Sequence, residues 1–361
     1  MTPRENPDLT GHEEAERTLL AAWTSGRMAH AWLIGGVAGI GKATLAFRFA
    51  RFVLAKGGQG AGQGLDMFGA PPAPPASLYL SPEDPVFRRV RAGGHADLLT
   101  IERRYDDKRG KMKTEIAVDD VREVSAFLRH TSGEDGWRVV IIDGVEQMNS
   151  SGHNALLKIL EEPPEQALLL LVTESPGGLL PTIRSRCRRL MLAPLSESAL
   201  ADWLAANHPE ISEADRAALA RLSEGSIGRA LSLAGAGGLA LYRQMIAVLA
   251  TLPRLNLKTA HGFADSVTRK GDDDAWETAT GLLTCWLARL VKALAEGRQP
   301  AEITAGEGDL LRRLITAQPG LDRWLEVWEK VGQHFARADA ANLDRKQVML
   351  NALLSIEAAV P

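Results

Sequence analysis

Apolar and polar positions alternate with two different periods along this chain, and the change from one to the other divides it. Residues 13–25 place Leu19, Leu20 and Trp23 on one helical face. Residues 31–34, Ala31 to Ile34, are four apolar positions in a row and predict a short buried strand. Residues 42–55 return to helical spacing, with Leu45, Phe49, Phe52 and Val53 on the inner stripe. A second strand is predicted at 97–101 and a helix at 118–128, with Val121, Val124 and Leu128 inward. Residues 137–143 are a near-continuous apolar run ending in Asp143, the pattern of a central parallel strand buried on both faces. A helix over 149–162, stopped by Pro163 and Pro164, leads to a strand at 168–172, a short helix at 179–185 and a fifth strand at 188–192. Strands alternating with helices predict an α/β core with a parallel five-stranded sheet and right-handed crossovers.

Beyond Pro194 the pattern is helical throughout. Helices are predicted at 197–207, 213–222 and 227–234, with the glycines of 235–238 as a hinge or helix stop. From 239 to 360 the stripes are Leu282, Trp286 and Leu290, then Leu310, Leu314, Trp324, Leu325 and Trp328, then Val348, Leu350, Leu353 and Leu354. The expected division is therefore 1–193, 194–238 and 239–361. Residues 106–114 read as a charged surface turn or hairpin tip. Residues 56–76 are rich in Gly, Pro, Ala and Gln and cannot bury enough apolar surface to order themselves, so a flexible insertion is expected there. It serves as a linker, or as a proline-rich docking peptide.

The chemistry begins between the first strand and its helix. Gly36, Gly39, Gly41 and Lys42 have the spacing of a phosphate-cradling P-loop. Glycines let backbone N–H groups converge on an anion, the following helix adds its positive end, and the lysine adds a mobile charge. The next residue, which should carry the hydroxyl that holds Mg²⁺, is Ala43; Thr44 lies one position on, rotated by roughly 100°. Asp143, at the end of its strand, faces the P-loop crevice in an open sheet of this kind.

Composition narrows the rest. The chain has 361 residues, 42 of them basic and 45 acidic, and its net charge of −3 gives no overall nucleic-acid signature. Two cysteines, Cys187 and Cys285, are too few for a disulfide framework. No N-terminal signal region and no run of about 20 apolar residues is present, so a cytoplasmic protein is expected.

Longer blocks carry a resemblance. Ile142 to Pro164, which includes Asn154-Ala-Leu-Leu-Lys158 and Glu161-Glu-Pro-Pro164, is similar to the clamp-loader ATPases of bacterial DNA polymerase III, within the AAA+ class. Thr182-Ile-Arg-Ser-Arg-Cys187 resembles their Ser-Arg-Cys motif, and Ser223 to Ala230 their second sensor. His30-Ala-Trp-Leu33, Gly94-His-Ala-Asp97 and Asn342 to Gln347 fit the same family, the last as its collar helix. The resemblance implies an AAA+ core, a helical lid over 194–238 and a C-terminal collar over 239–361.

It also implies roles. Arg186 is the candidate catalytic group, an arginine given in trans to a neighbouring ATPase subunit. The alternative is that Arg184, Arg186, Arg188 and Arg189 form a solvated basic edge or contact DNA phosphates. Gly36, Gly39, Gly41, Lys42, Thr44, Asp143, Thr173 (first sensor) and Arg229 (second sensor) form a degenerate nucleotide site. Arg229 touches the γ-phosphate or only holds the lid; Thr173 senses phosphate or only ends its strand. Hydrolysing members carry a hydroxyl at position 43 and a glutamate at position 144, where this chain has Ala43 and Gly144. The implied function is a hydrolysis-deficient clamp-loader subunit that requires no cofactor of its own, with ATP and Mg²⁺ bound by its partners. Those partners are the delta and gamma/tau ATPase subunits, and through the complex the sliding clamp and primed DNA. The chain would then be a component of a DNA-directed DNA polymerase without being an ATPase itself. An ATP sensor that binds without hydrolysing, a self-sufficient ATPase and a DNA-binding scaffold stay open beside it. Some family members carry a four-cysteine zinc module after the P-loop helix; residues 54–93 hold no cysteine, so no metal is expected. Cys187, His30, His95 and His153 read as structural.

Overall fold

The chain enters through helix α1 (Glu13–Thr24) and strand β1 (Ala31–Gly35), the latter buried at every position. In this computed structural model, residues 2–57, 75–106, 111–113, 115–129, 133, 136–269, 273–317, 320–341 and 343–360 are described. Most of the expected insertion, 58–74, and the tip residues 107–110 and 114 lie outside them. The core continues with α2 (Lys42–Gly57), α3 (Pro85–Arg91), β2 (Leu98–Ile101), β3 (Tyr105–Asp106), β4 (Lys111–Met112) and α4 (Val118–Arg129). It ends with β5 (Arg138–Asp143), α5 (Ser150–Glu161), β6 (Ala167–Thr173), α6 (Pro181–Arg186) and β7 (Arg188–Met191).

Five strands form one parallel sheet in the order β2-β5-β6-β1-β7, and β3 and β4 pair separately as an antiparallel hairpin. This is an α/β core built on a parallel five-stranded sheet, with the glycine-rich loop between β1 and α2. The three inner strands, β5, β6 and β1, are apolar because both their faces are covered. Trp32, Phe49, Ile141 and Leu170 belong to the apolar layer on one side, and Leu33, Val140, Leu156 and Leu171 to the layer on the other. The register sets the functional edge: Gly35 pairs with Thr173, and Val172 with Asp143. The end of β1, the end of β6 and the end of β5 therefore stand side by side at the carboxyl edge of the sheet.

Helix α3 was not anticipated. Its seven residues are too few for a periodic signal, but its start is well specified. Asp84 caps it by accepting from the Val86 N–H at 2.7 Å, Pro85 occupies the first turn, and Val86, Phe87 and Val90 are buried.

The chain forms two compact units, Met1–Leu195 and Ser196–Pro361. The second unit holds α7 (Glu197–Asn207), α8 (Glu213–Leu222), α9 (Ile227–Gly235), α10 (Gly238–Leu249), α11 (Leu257–Val267), α12 (Asp273–Glu296), α13 (Glu307–Thr316), α14 (Gly320–Ala341) and α15 (Arg345–Glu357). Serine or asparagine caps start α7, α8, α9 and α11, at Ser196, Ser212, Ser226 and Asn256. Two expected stripes need correction. On α14 the buried positions are Trp324, Val327, Val331 and Phe335, whereas Leu325 is exposed and Trp328 half-buried; on α15 Leu354 is exposed and Ile356 takes its place. Leucine and tryptophan marked the stripes in the sequence, but the helical period, with Val327 three residues and Val331 seven residues from Trp324, decides which face packs. Among the described residues, no single helix is long and apolar enough to cross a membrane.

Leu170 sits at 0% exposure between Ile141 and Trp32. Leu170→Ala should destabilise the 1–195 unit by about 2–5 kcal/mol, read from its urea midpoint, whereas Leu180→Ala at an exposed position should stay within about 0.5 kcal/mol.

Candidate functional site

The loop from Gly36 to Gly41 runs off the end of β1 into α2. Gly39 and Gly41 have φ of +71° and +106°, a backbone region that side chains disfavour. A Cβ on Gly41 would lie 3.1 Å from Leu9 Cδ1, because the N-terminal arm is laid directly against the loop. His12 Nε2–H donates to the Ile40 carbonyl, closing the loop from the same side. The arm is itself pinned to α2. Arg51, 1% exposed, donates to the Arg4 carbonyl at 3.1 Å and the Asn6 carbonyl at 2.8 Å while its guanidinium stacks on Phe87, and Arg48 holds the Pro7 carbonyl and Glu16.

Lys42 is turned back on its own loop. Its Nζ donates to the Val37 carbonyl at 2.7 Å and lies 3.8 Å from Glu174 Oε1, and the residue is 6% exposed. Burial pulls its pKa below the ordinary lysine value, against the opposing pull of Glu174, Asp143 and Glu146. Asp143 moves the other way. Burial first, and Glu102 next, raise its carboxyl to about 6, with Glu146 and Glu174 adding to the rise and Lys42 opposing it. Glu146 Oε1 accepts the Glu174 N–H at 2.9 Å, tying the turn after β5 to the turn after β6. The lysine thus faces carboxylates where a nucleotide's phosphates would need positive charge.

The other expected residues fall as follows. Gly36 and Lys42 stand at the sheet edge with Asp143 and Thr173. Thr173 is fully buried and its hydroxyl accepts the Ser175 N–H at 3.1 Å. Thr44 is buried inside α2. Gly144 has φ of +80° and caps a short turn at Val145–Gln147; a Cβ there would come within 2.7 Å of the Gln147 side chain. Arg229 belongs to the other unit, in the first turn of α9, where its guanidinium meets Glu224 at 3.1 Å. Arg186 closes α6, with Nη1 donating to the Thr182 carbonyl at 3.0 Å and Nη2 to Glu161 at 2.8 Å. Arg188 is stacked on Trp32. Burial pushes the Cys187 thiol up to about 12, which leaves it unreactive.

Sequence reading missed Glu102, Glu174, Leu9 and His12. The two acids carried a signal: Glu102 follows the last residue of β2 and Glu174 the last residue of β6, as Asp143 ends β5. One carboxylate at the carboxyl end of each of three adjacent strands is readable once the strands are placed.

Because the folded chain keeps the Asp143 proton to about pH 6 while an unfolded aspartate releases it near 3.8, ionising Asp143 costs stability. The penalty is absent below about pH 4, grows as pH rises through 6, and is complete above it. Asp143→Asn should therefore gain about 1–3 kcal/mol over wild type at about pH 7.5, with the gain vanishing near about pH 4, as read from urea midpoints at each pH.

Residues 82–196 match the model of a family described as DNA polymerase III, delta subunit. Over 209 residues the chain is 34% identical to the DNA polymerase III subunit delta' of Pseudomonas aeruginosa, covering 58% of this chain and 57% of that protein. Over 215 residues it is 34% identical to the delta' subunit of Escherichia coli, covering 60% and 57%. It is 30% identical to the Escherichia coli tau subunit over 235 residues, 64% of this chain and 32% of that one. The chain thus spans less than two thirds of the length of these relatives. A solved gamma subunit-related protein from Thermotoga maritima aligns over 94% of this chain and 98% of its own at 18% identity, with a TM-score of 0.40. Residues 82–196 thus match the DNA polymerase III delta-subunit family, and the chain is similar to the delta' subunits of that polymerase.

Proposed function

We propose that this chain serves as the delta'-type subunit of a DNA polymerase III clamp loader. In that reading it is an ATP-inert member of the assembly, acting in the cytoplasm beside a delta subunit and gamma/tau ATPase subunits, and through them on the sliding clamp and primed DNA. Residues 194–238 act as the lid and 239–361 as the collar by which subunits associate. The observation that carries the inert half of this proposal is the state of Lys42, which spends its charge on the Val37 carbonyl and Glu174. Phosphoryl transfer asks the protein for metal positioning, water orientation and charge stabilisation. Ala43 offers no hydroxyl, Gly144 no carboxylate, and burial with the neighbouring carboxylates raises the Asp143 carboxyl to about 6. ATP and Mg²⁺ are then held by the partner subunits.

What remains is Arg186, 35% exposed in its side chain at the end of α6. A guanidinium is always charged and presents a planar fork that matches phosphate. Supplied across a subunit boundary, it stabilises the charge that develops on a neighbour's γ-phosphate.

Two outcomes test the proposal. Ala43→Ser combined with Gly144→Glu should leave the isolated chain without ATP turnover and without measurable ATP affinity by calorimetry, because Lys42 stays engaged and position 144 sits at positive φ; turnover by the wild-type chain would reject the inert reading, and turnover by the double variant alone would reject the blocking role of Lys42. Arg186→Ala should leave the chain folded and able to assemble with delta and gamma/tau subunits, and should slow hydrolysis about tenfold or more at the site it serves, seen as reduced DNA- and clamp-stimulated phosphate release. Unchanged release by a fully assembled complex would reject the trans role.

A further inference from the structure

Four arginines lie between positions 184 and 189, and among the described residues Arg186 is the one of the four with a carboxylate partner. Glu161 Oε1 stands 2.8 Å from Arg186 Nη2, across 25 residues of sequence, while Nη1 donates to the Thr182 carbonyl at 3.0 Å. Both contacts come from well-anchored places. Glu161 is the last residue of α5, directly after the buried Ile159 and Leu160 and just before Pro163 and Pro164. Thr182 lies one turn back on α6, beside the fully buried Ile183.

Glu161 does α5 no good on its own account. A carboxylate in the last turn faces the negative end of the helix dipole. Nor does the ion pair contribute much to stability, since both side chains are substantially exposed, 35% and 50%. What the pair changes is geometry. An unrestrained arginine wanders among many rotamers, and a group that must meet a developing charge loses most of its effect when it has to be ordered at the moment of reaction. Two anchors on two nitrogens remove that freedom and leave the remaining N–H donors of the fork unspent among the described residues.

We infer that Glu161 is a positioning residue for Arg186: it holds the guanidinium at the edge of the core in the orientation from which it meets a phosphate bound by another subunit, without touching that phosphate itself. This rests on the trans role proposed above for Arg186. Glu161→Gln keeps the length of the side chain and removes its charge. In the complex reconstituted with delta and gamma/tau subunits, it should lower kcat of the DNA-stimulated ATPase about three- to tenfold while KM for ATP stays the same. The double variant with Arg186→Ala should be no slower than Arg186→Ala alone. An unchanged or raised kcat in Glu161→Gln, next to a slowed Arg186→Ala, overturns the positioning role and leaves the trans role standing. An Arg186→Ala complex at full rate removes both. If Glu161→Gln blocks assembly, the Nε–Hε resonance of Arg186 in the isolated chain decides: a gain in fast mobility over wild type supports the inference, and unchanged order overturns it.

Discussion

One buried ammonium governs the carboxyl edge of this sheet. Lys42 is 6% exposed, and an ammonium so placed is tolerated only when its charge is answered nearby. The answer is the Val37 carbonyl and Glu174, with Asp143 and Glu146 close enough to be felt. The dependence runs both ways. Burial raises the Asp143 carboxyl most, the carboxylates crowded at the ends of neighbouring strands raise it further, and Lys42 offsets part of the rise. The glycine loop keeps the backbone form of an anion cradle, while the side chains around it have reversed the sign of the charge it presents.

The two ends of the same α/β layer have thus been given opposite characters. Around Lys42 the ammonium is answered by its own loop and by carboxylates, and Leu9 and His12 press on the glycine loop from the N-terminal arm. At the end of α6 the cation is tethered yet partly open to solvent. On the proposed reading, a core built this way holds its crevice lysine internally and presents a tethered, partly exposed guanidinium at the end of α6. The proposed division of labour follows from that asymmetry more than from either missing residue alone.

Much of this was legible in the sequence because it depends on long apolar runs and glycine spacing. β5 and β6 are buried on both faces, so their composition announced them, and the loop between β1 and α2 is fixed by Gly36, Gly41 and Lys42. The parts that escaped depend on tertiary meetings. Helix α3 is shorter than two full helical repeats, and its signal lay in a cap and a proline. Glu174 and Glu102 looked like ordinary strand-end polar residues until the sheet order set them beside Asp143. Leu9 and His12 reach the loop because Arg51 gathers the arm's carbonyls, a contact across more than forty residues of chain. On α14, Leu325 looked as good a core residue as Val327; only the phase set by Trp324 separates them.

The backbone at Gly144 puts a cost on any side chain placed there. Its φ of +80° is a region that L residues rarely adopt, so an acid at this position would be strained even though the far end of the Gln147 side chain, which fills the nearby space, can swing aside. The turn after β5 is thereby biased toward glycine by its main chain alone, independently of any chemistry at the crevice.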